Sequence, residues 1–312
     1  MRVMVTGATT PFGAAIVDHL LAAPDVELVL AVGREREADP GEGKLVYHAA
    51  DLGHARAVHD LLHGVAKHHT IDAVVHAAHH RSARDGGPAV HAQNVHAARS
   101  LVVGCADHPT IRQLVYRSFA EVYAPPRGTT SLIDEEAPLD FDPAAPAWVR
   151  DRVEADLTVC VRRSGPLQVT VLRCAELLAQ DCGSQLWDYL SSRVCLRPAG
   201  FDPMLNVLAL DDAVAAVAAA LRSPAVGVFN IPGADTLPLS RAITECARID
   251  LPVPGPALAP LYALRRAITG SEFRYDLNAR RFHLGGILDG SRAHRELGYT
   301  PRTPIVWQQP YA

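Results

Sequence analysis

The chain has 312 residues, 48% of them hydrophobic and 21% charged, the texture of a folded protein rather than of a disordered or collagen-like one. Thirty basic against 34 acidic side chains give a formal charge of −4, so there is no basic excess to hold nucleic acid or an anionic membrane. No stretch approaches the roughly 20 apolar residues of a membrane span, and the N-terminus lacks the apolar run of a secretory leader. The six cysteines form no C-x-x-C pair and no zinc-ligand spacing, so a reduced, cytoplasmic protein is expected.

In the first half, short apolar runs alternate with longer ones of helical period, the pattern of a parallel sheet covered by helices. Strands are expected over residues 2–6, 27–32, 44–47, 73–76, 113–116 and 168–172. Helices are expected over 12–21, 55–65, 89–105 and 147–163; the second carries Val58, Leu61, Leu62 and Val65 on one face. Residues 124–146, rich in proline and acids, read as surface loop. After residue 175 proline and glycine punctuation takes over. A helix over 211–221 has Asp211 or Asp212 near its positive end, followed by a strand over 226–230 and helices over 239–247 and 258–268. The fold expected is α/β, a doubly wound parallel sheet over residues 1–175 completed by 203–232. A small C-terminal substrate lobe is expected from 176–202 and 233–312.

The first strand ends in Thr6-Gly7-Ala8-Thr9-Thr10-Pro11-Phe12-Gly13 and opens a helix, the position of a dinucleotide phosphate loop. Such a loop needs a tight glycine turn, backbone that can approach a pyrophosphate, and helix N-terminal amides aimed at the anion. Further landmarks follow in order: Asp51-Leu52, Asp72 to Ala78 with His76, Asn94-Val95, Leu172-Arg173, Leu210-Asp211-Asp212-Ala213, Gly227 to Asn230, Leu288 to Arg292, and Glu296-Leu297-Gly298. Together they resemble the extended short-chain dehydrogenase/reductase family in its NAD-dependent epimerase/dehydratase branch. The resemblance implies a Rossmann-like, NAD(P)-binding fold. It implies a dinucleotide site at Gly7, Thr10, Phe12, Gly13, Arg34, Asp51, Leu52, Ala77 and Ala78. It also implies a homodimer paired through the helices over 89–105 and 147–163.

The active-site pattern departs from the family's. There a Ser polarises the carbonyl or hydroxyl, a Tyr transfers the proton, and a Lys one helical turn later lowers the Tyr pKa. Aligned on Val122-Tyr123-Ala124 and Val153-Glu154-Ala155, Phe119 stands in the Ser position, Trp148 in the Tyr position and Arg152 in the Lys position. Phe has no hydroxyl, the indole N–H is no acid near neutral pH, and Arg keeps its proton. Lysine occurs only at Lys44 and Lys67, so no Tyr-x-x-x-Lys exists in the second half under any alignment. The phosphate loop reads TGxxTxxG rather than TGxxGxxG. Thr10 adds a side chain where backbone should meet pyrophosphate, although its hydroxyl could itself donate, and Pro11 removes an amide. Binding of NADP or NAD is expected to be weak or lost. Arg34, with no acid at the end of the second strand, favours NADP.

Twelve of the 15 histidines fall between His48 and His108. His59-x-x-x-His63 has the spacing of a metal pair but no accompanying Glu or Cys, so no metal is expected. His79 and His80 follow the strand ending at His76, at the sheet edge where ligands of open α/β folds sit, and are candidate catalytic acid–base residues. Glu121 and Glu176 are reserves, while Asp134, Glu135 and Glu136 read as solvated loop acids. Arg173 reads either as a substrate contact or as half of a buried ion pair. Phe119 and Trp148 together would wall the substrate site with aromatic surface, which suits a flat or hydrophobic small molecule better than a sugar. The first expectation is a non-redox binding or regulatory protein. The alternatives are a conventional NAD(P)-dependent oxidoreductase or epimerase, and a non-redox enzyme of elimination or cyclisation using His79 or His80.

Overall fold

Alternation in the strand sequences sorts side chains onto two faces of one sheet. In β1 (Arg2–Thr6), Val3 and Val5 enter one core and Met4 the other; in β2 (Leu28–Gly33), Val29 and Ala31 oppose Leu30 and Val32. Both faces are covered, which is why these strands read as continuous apolar runs. β3 (Leu45–Ala49), β4 (Ala73–His76), β5 (Gln113–Phe119) and the later strands Gln168–Cys174 and Gly227–Ile231 complete a seven-stranded sheet. Every pairing in it is parallel. The order across it is Gly227–Ile231, Gln168–Cys174, β5, β4, β1, β2, β3, so the winding reverses between β1 and β4. A crevice at the carboxyl ends of these strands is the ligand position of a doubly wound sheet. This computed structural model describes residues 1–35, 43–125, 132–161 and 165–307.

Helix Pro11–Ala22 packs Ile16, Val17 and Leu20 on one face beside helix Leu210–Arg222. The other face is covered by Val58, Leu61 and Leu62 and by Val95, Leu101 and Val102. Both of those helical stretches contain a wider turn, Leu61–Ala66 and Ala92–His96. The second places Asn94 so that its carboxamide oxygen accepts the His80 N–H at 2.9 Å, a use typical of such turns near ligand sites.

The last third builds its own core from Tyr189, Leu190, Leu239, Ile243, Tyr262, Phe273 and Phe282. Met204–Leu208, a strand not read from the sequence, pairs with Asp235–Pro238 and Glu176–Leu177 in a small three-stranded sheet. Ser291–Leu297, expected in the lobe, packs Ala293 and Leu297 into the core of the large sheet. The stretch read as loop after residue 124 contributes a short strand, Leu132–Ile133, paired with Ile287–Leu288; residues 126–131 lie outside the described residues. Among the described residues no helix is long and apolar enough to cross a membrane.

Asp212 is buried, but it does not cap its own helix. Its carboxylate accepts the backbone N–H groups of Arg302 and Thr303, each at 3.0 Å, and the Thr303 hydroxyl at 3.0 Å. It thereby fastens the C-terminal segment to the sheet. Asp212→Ala leaves these donors without a charged acceptor and should cost about 2–3 kcal/mol in urea unfolding. A loss below about 0.5 kcal/mol would mean that the segment contributes little to the fold.

Candidate functional site

The turn after β1 is built by glycine. Gly7 has φ +75°, and a Cβ there would lie 2.7 Å from the Ala78 Cα; a Cβ on Gly13 would lie 2.0 Å from the Gly7 carbonyl oxygen. These residues bring the loop, the following helix and the end of β4 into close contact. Thr10 is the N-cap of helix Pro11–Ala22. Its hydroxyl accepts the Gly13 N–H at 3.0 Å and donates to the Gly7 carbonyl at 2.8 Å. Its one proton is thus committed, which removes the hydroxyl as a donor to phosphate. The Phe12 N–H is directed to the Cys182 thiol, and Pro11 has none to offer.

A cleft of about 750 Å³ runs from this loop. Gly7, Thr10, Arg34, Asp51, Leu52 and Ala78 line it, as the sequence suggests. Arg34 lies 3.3 Å from Asp51, whose other oxygen accepts the Gly53 N–H at 3.0 Å. Three expected cofactor residues do not line the cleft. Ala77 and Phe12 are core residues, 2% exposed each, and Gly13 packs against Gly7. Alternation explains the first: Ala78 faces the cleft, so Ala77 turns inward.

Phe119, Trp148 and Arg152 come together. The Arg152 guanidinium lies 3.8 Å from the centroid of the Phe119 ring and 4.1 Å from that of Trp148, and its Nη1 is 2.8 Å from Glu121. The alignment that put them at one site is therefore geometrically consistent. They do not share a single cavity, however. Trp148 lines a second space of about 580 Å³ with Val90, Tyr123, Leu186 and Asn206, whereas His79 and His80 line the long cleft. Phe119 and Arg152 stand between, beside a gap of only about 10 Å³.

Glu121 also meets Arg281 at 3.3 Å, and Arg281 meets Glu176 at 2.8 Å. Burial alone would raise the Glu176 carboxyl, but Arg281 and the Ser184 hydroxyl at 2.7 Å hold it down at about 2. Both reserve carboxylates are thus tied to arginines in one chain of charges. His79 is less suited to proton transfer than the sequence suggests. The His79 ring is buried, with Nε2 2.9 Å from the Arg117 carbonyl, and burial followed by His76, Arg117 and Arg152 drives its pKa well below normal. It is a neutral donor packed edge-on to Phe119 at 4.9 Å. His80 is held between Asp85, at 2.9 Å, and Gln93, at 3.2 Å.

Arg173 takes the structural alternative. Its Nε and Nη2 bond the wholly buried Asp156 at 3.1 and 2.7 Å, and Asp156 also accepts the Ser118 hydroxyl at 2.5 Å. At 4% exposure it lines neither the long cleft nor the space beside Trp148. Glu135, expected to be solvated, accepts the Asn230 N–H at 2.8 Å. The sequence reading missed Arg117, Asp156 and Arg281. Arg281 lies on helix Tyr275–His283, whose i,i+4 pattern carried no site signal. The His59 and His63 rings lie 4.5 Å apart, tilted by 40°, and among the described residues no three His, Cys, Asp or Glu side chains are grouped to hold a metal ion.

A sequence profile of the NAD dependent epimerase/dehydratase family matches residues 3–231. An uncharacterised protein of Mycobacterium tuberculosis is 30% identical over 97% of this chain and 81% of its own. A 3-diazoavenalumate denitrifying reductase of Streptomyces sp. is 30% identical over 97% of each chain. Among solved structures, a dTDP-glucose 4,6-dehydratase from Streptomyces venezuelae with NAD and TYD bound superposes with a TM-score of 0.72 at 20% identity, covering 99% of this chain and 95% of that one. A UDP-glucuronic acid 4-epimerase from Bacillus cereus in complex with NAD gives 0.71 at 15% identity, covering 100% and 96%.

Two outcomes follow from the cleft. Thr10→Gly frees the Gly13 N–H and removes a Cβ, at a cost of only a few tenths of a kcal/mol in capping. It should tighten NADPH binding about fivefold in calorimetric titration, and weaker binding would show that the threonine itself holds the ligand. On the opposite wall Asp188 is raised to about 7 by burial and by the nearby Glu272, Glu176 and Asp181 carboxylates. A raised carboxyl favours the fold while protonated; that contribution is complete below about pH 4 and lost as pH rises through 7. Asp188→Asn should therefore be about 1–2 kcal/mol more stable than the parent near pH 8 and equal to it near pH 4. A pH-independent difference would contradict this account.

Proposed function

The chain belongs to the NAD-dependent epimerase/dehydratase family, and from that premise we propose that it keeps the family's nucleotide cleft without the family's proton-transfer chemistry. It acts as a non-redox binding or regulatory protein, holding a dinucleotide (NADP before NAD) in the long cleft and a flat, apolar small molecule in the space beside Trp148. The observation that carries this reading is Arg152, fixed between the Phe119 and Trp148 rings and tied to Glu121. A hydroxyl, a phenol and a lysine amine would be needed there, and a phenyl ring, an indole and a guanidinium take their places.

The residues present fit the adenosine and pyrophosphate end of a dinucleotide. Gly7 and Gly33 leave the loop no room for a Cβ, and Arg34, Asp51 and Leu52 border the cleft. At the inner end the fit fails: a gap of about 10 Å³ is roughly the space of one water, so a nicotinamide ring enters only if Phe119 or Arg117 moves.

A second reading is supported by the Streptomyces reductase, whose name specifies the denitrification of a diazo compound. A nicotinamide dinucleotide would supply hydride there; where the acceptor is the carbon of a diazonium group, the C–H bond forms as the C–N bond breaks and dinitrogen leaves with the bonding pair, so that exchange would need no proton from the protein. Such an acceptor would make the missing Ser, Tyr and Lys irrelevant.

Purified protein with NADPH or NADH should show no turnover of nucleotide sugars, ketones or alcohols above background. General acid–base help alone is worth about 10²–10⁴ in rate. Turnover of a few per second on any of these would overturn both readings. NADPH-dependent loss of a diazo compound would select the second.

A further inference from the structure

Three guanidinium groups and two carboxylates meet at the inner end of the cleft. Arg152 and Arg281 both face Glu121, and Arg281 also pairs with Glu176. The third cation, Arg117 on β5, is 8% exposed, and its Nε is buried with no hydrogen-bond partner. Among the described residues no carboxylate pairs with it. Its contacts are two aromatic faces, Phe119 at 4.6 Å and Phe12 at 5.0 Å. The cluster therefore carries one buried positive charge in excess, and a charge left unpaired in a protein interior is strongly unfavourable.

Position says what balances it. Phe12 lies in the first turn of the twelve-residue helix Pro11–Ala22, whose positive pole adds to the charge of Arg117. The guanidinium borders the narrow gap lined by Phe119, Glu121, Arg152, Glu176, Gly183 and Ser184; the two carboxylates there are already paired with Arg152 and Arg281, and Gly183 and Ser184 also line the nucleotide cleft. We propose that Arg117 is an anion-binding residue at the inner end of the cleft, taking an oxyanion that the ligand brings. Arginine suits this role because its planar donors match phosphate and carboxylate oxygens in pairs. The terminal phosphate of a nucleotide held by the Gly7–Gly13 turn is one source of that oxyanion, and a carboxylate on the second ligand is the other. The inference rests on the reading of the cleft as a nucleotide site, and it makes ADP, which lacks the nicotinamide ring that the gap excludes, a better ligand than the fold alone would suggest.

The test is a binding comparison, independent of turnover. Wild type, Arg117→Met and Arg117→Lys are titrated calorimetrically with ADP, adenosine, inorganic pyrophosphate and benzoate. ADP and pyrophosphate should bind Arg117→Met about tenfold or more weakly than wild type, adenosine equally, and Arg117→Lys should fall between. Without ligand, Arg117→Met should melt no lower than wild type, because no ion pair is broken; a purely structural arginine would give a lower Tm and unchanged affinities. Loss of benzoate affinity with ADP unchanged would support the anion site and assign it to the second ligand. If Arg117→Met does not fold, the Tm of wild type should still rise with millimolar pyrophosphate or benzoate. Equal binding of every anion by wild type and Arg117→Met, or no thermal response of wild type to either anion, would overturn the proposal. Redox turnover of a ketone would instead overturn the functional reading and leave this result standing.

Discussion

The placement of Arg152 between two aromatic rings is the constraint on which the rest of the site depends. Trp148 and Arg152 are one helical turn apart on Ala147–Cys160, so the helix presents them side by side, and Phe119 comes to them from the end of β5. The Arg152 guanidinium, at 8% exposure, takes its counter-charge from Glu121. Glu121 in turn holds Arg281, which holds Glu176, which accepts the Ser184 hydroxyl and the Leu186 N–H. The chain of alternating charges thus runs from the large sheet into the C-terminal core. Buried pairs of this kind contribute little net stability against apolar packing, so their value here lies in register: they fix how the lobe faces the sheet.

The phosphate loop shows how a lost glycine is accommodated. A family-type glycine at position 10 would leave the Gly13 N–H free for an anion. Thr10 satisfies that amide itself and adds a bond to the Gly7 carbonyl, so the helix gains a cap and the anion loses a donor. Local stability and ligand affinity are opposed at this residue. The same opposition applies to the Cys182 thiol, which receives the Phe12 N–H from the segment crossing over the loop. Gly183, with φ +74° and a Cβ position 3.0 Å from the Arg81 carbonyl, is what allows that segment to come so close.

Much of the fold was legible because sheet strands buried on both faces leave a simple record. The alternation of Val3, Met4 and Val5 and the turn residues after Thr6 need no long-range information. The absence of lysine beyond residue 67 was equally legible, and it settled one catalytic position without any alignment. What sequence did not carry was pairing at a distance. Asp156 and Arg173 are 17 residues apart, and Glu121 and Arg281 are 160 apart, with nothing local to connect them. The same limit made His79 look catalytic: proximity to the cleft was visible, but not the burial that keeps its ring neutral. Met204–Leu208 was not read as a strand at all, because a short apolar run has no periodicity that separates strand from helix.

The division of the site by Phe119 and Arg152 bears on which molecules can enter. In the space beside Trp148 each lining arginine is already compensated. Arg274 meets Asp276 at 2.5 Å, Arg280 meets Asp140 at 3.1 Å and also Asp142, and Arg281 meets Glu121 and Glu176. Asp85 and Asp151 add further acids to the wall. A nucleoside diphosphate sugar placed there would find its phosphates among neutralised arginines and surplus carboxylates, with no unpaired cation among the described lining residues to replace its hydration. A flat ligand without phosphate meets no such penalty, since Trp148, Tyr123, Val90, Leu186 and Leu288 offer it apolar surface and Asn206 offers a polar contact. The free positive charge stands instead on the far side of the aromatic wall, at Arg117. The partition thus leaves apolar surface and compensated arginines on one side of Phe119 and Arg152, and the unpaired guanidinium of Arg117 on the other.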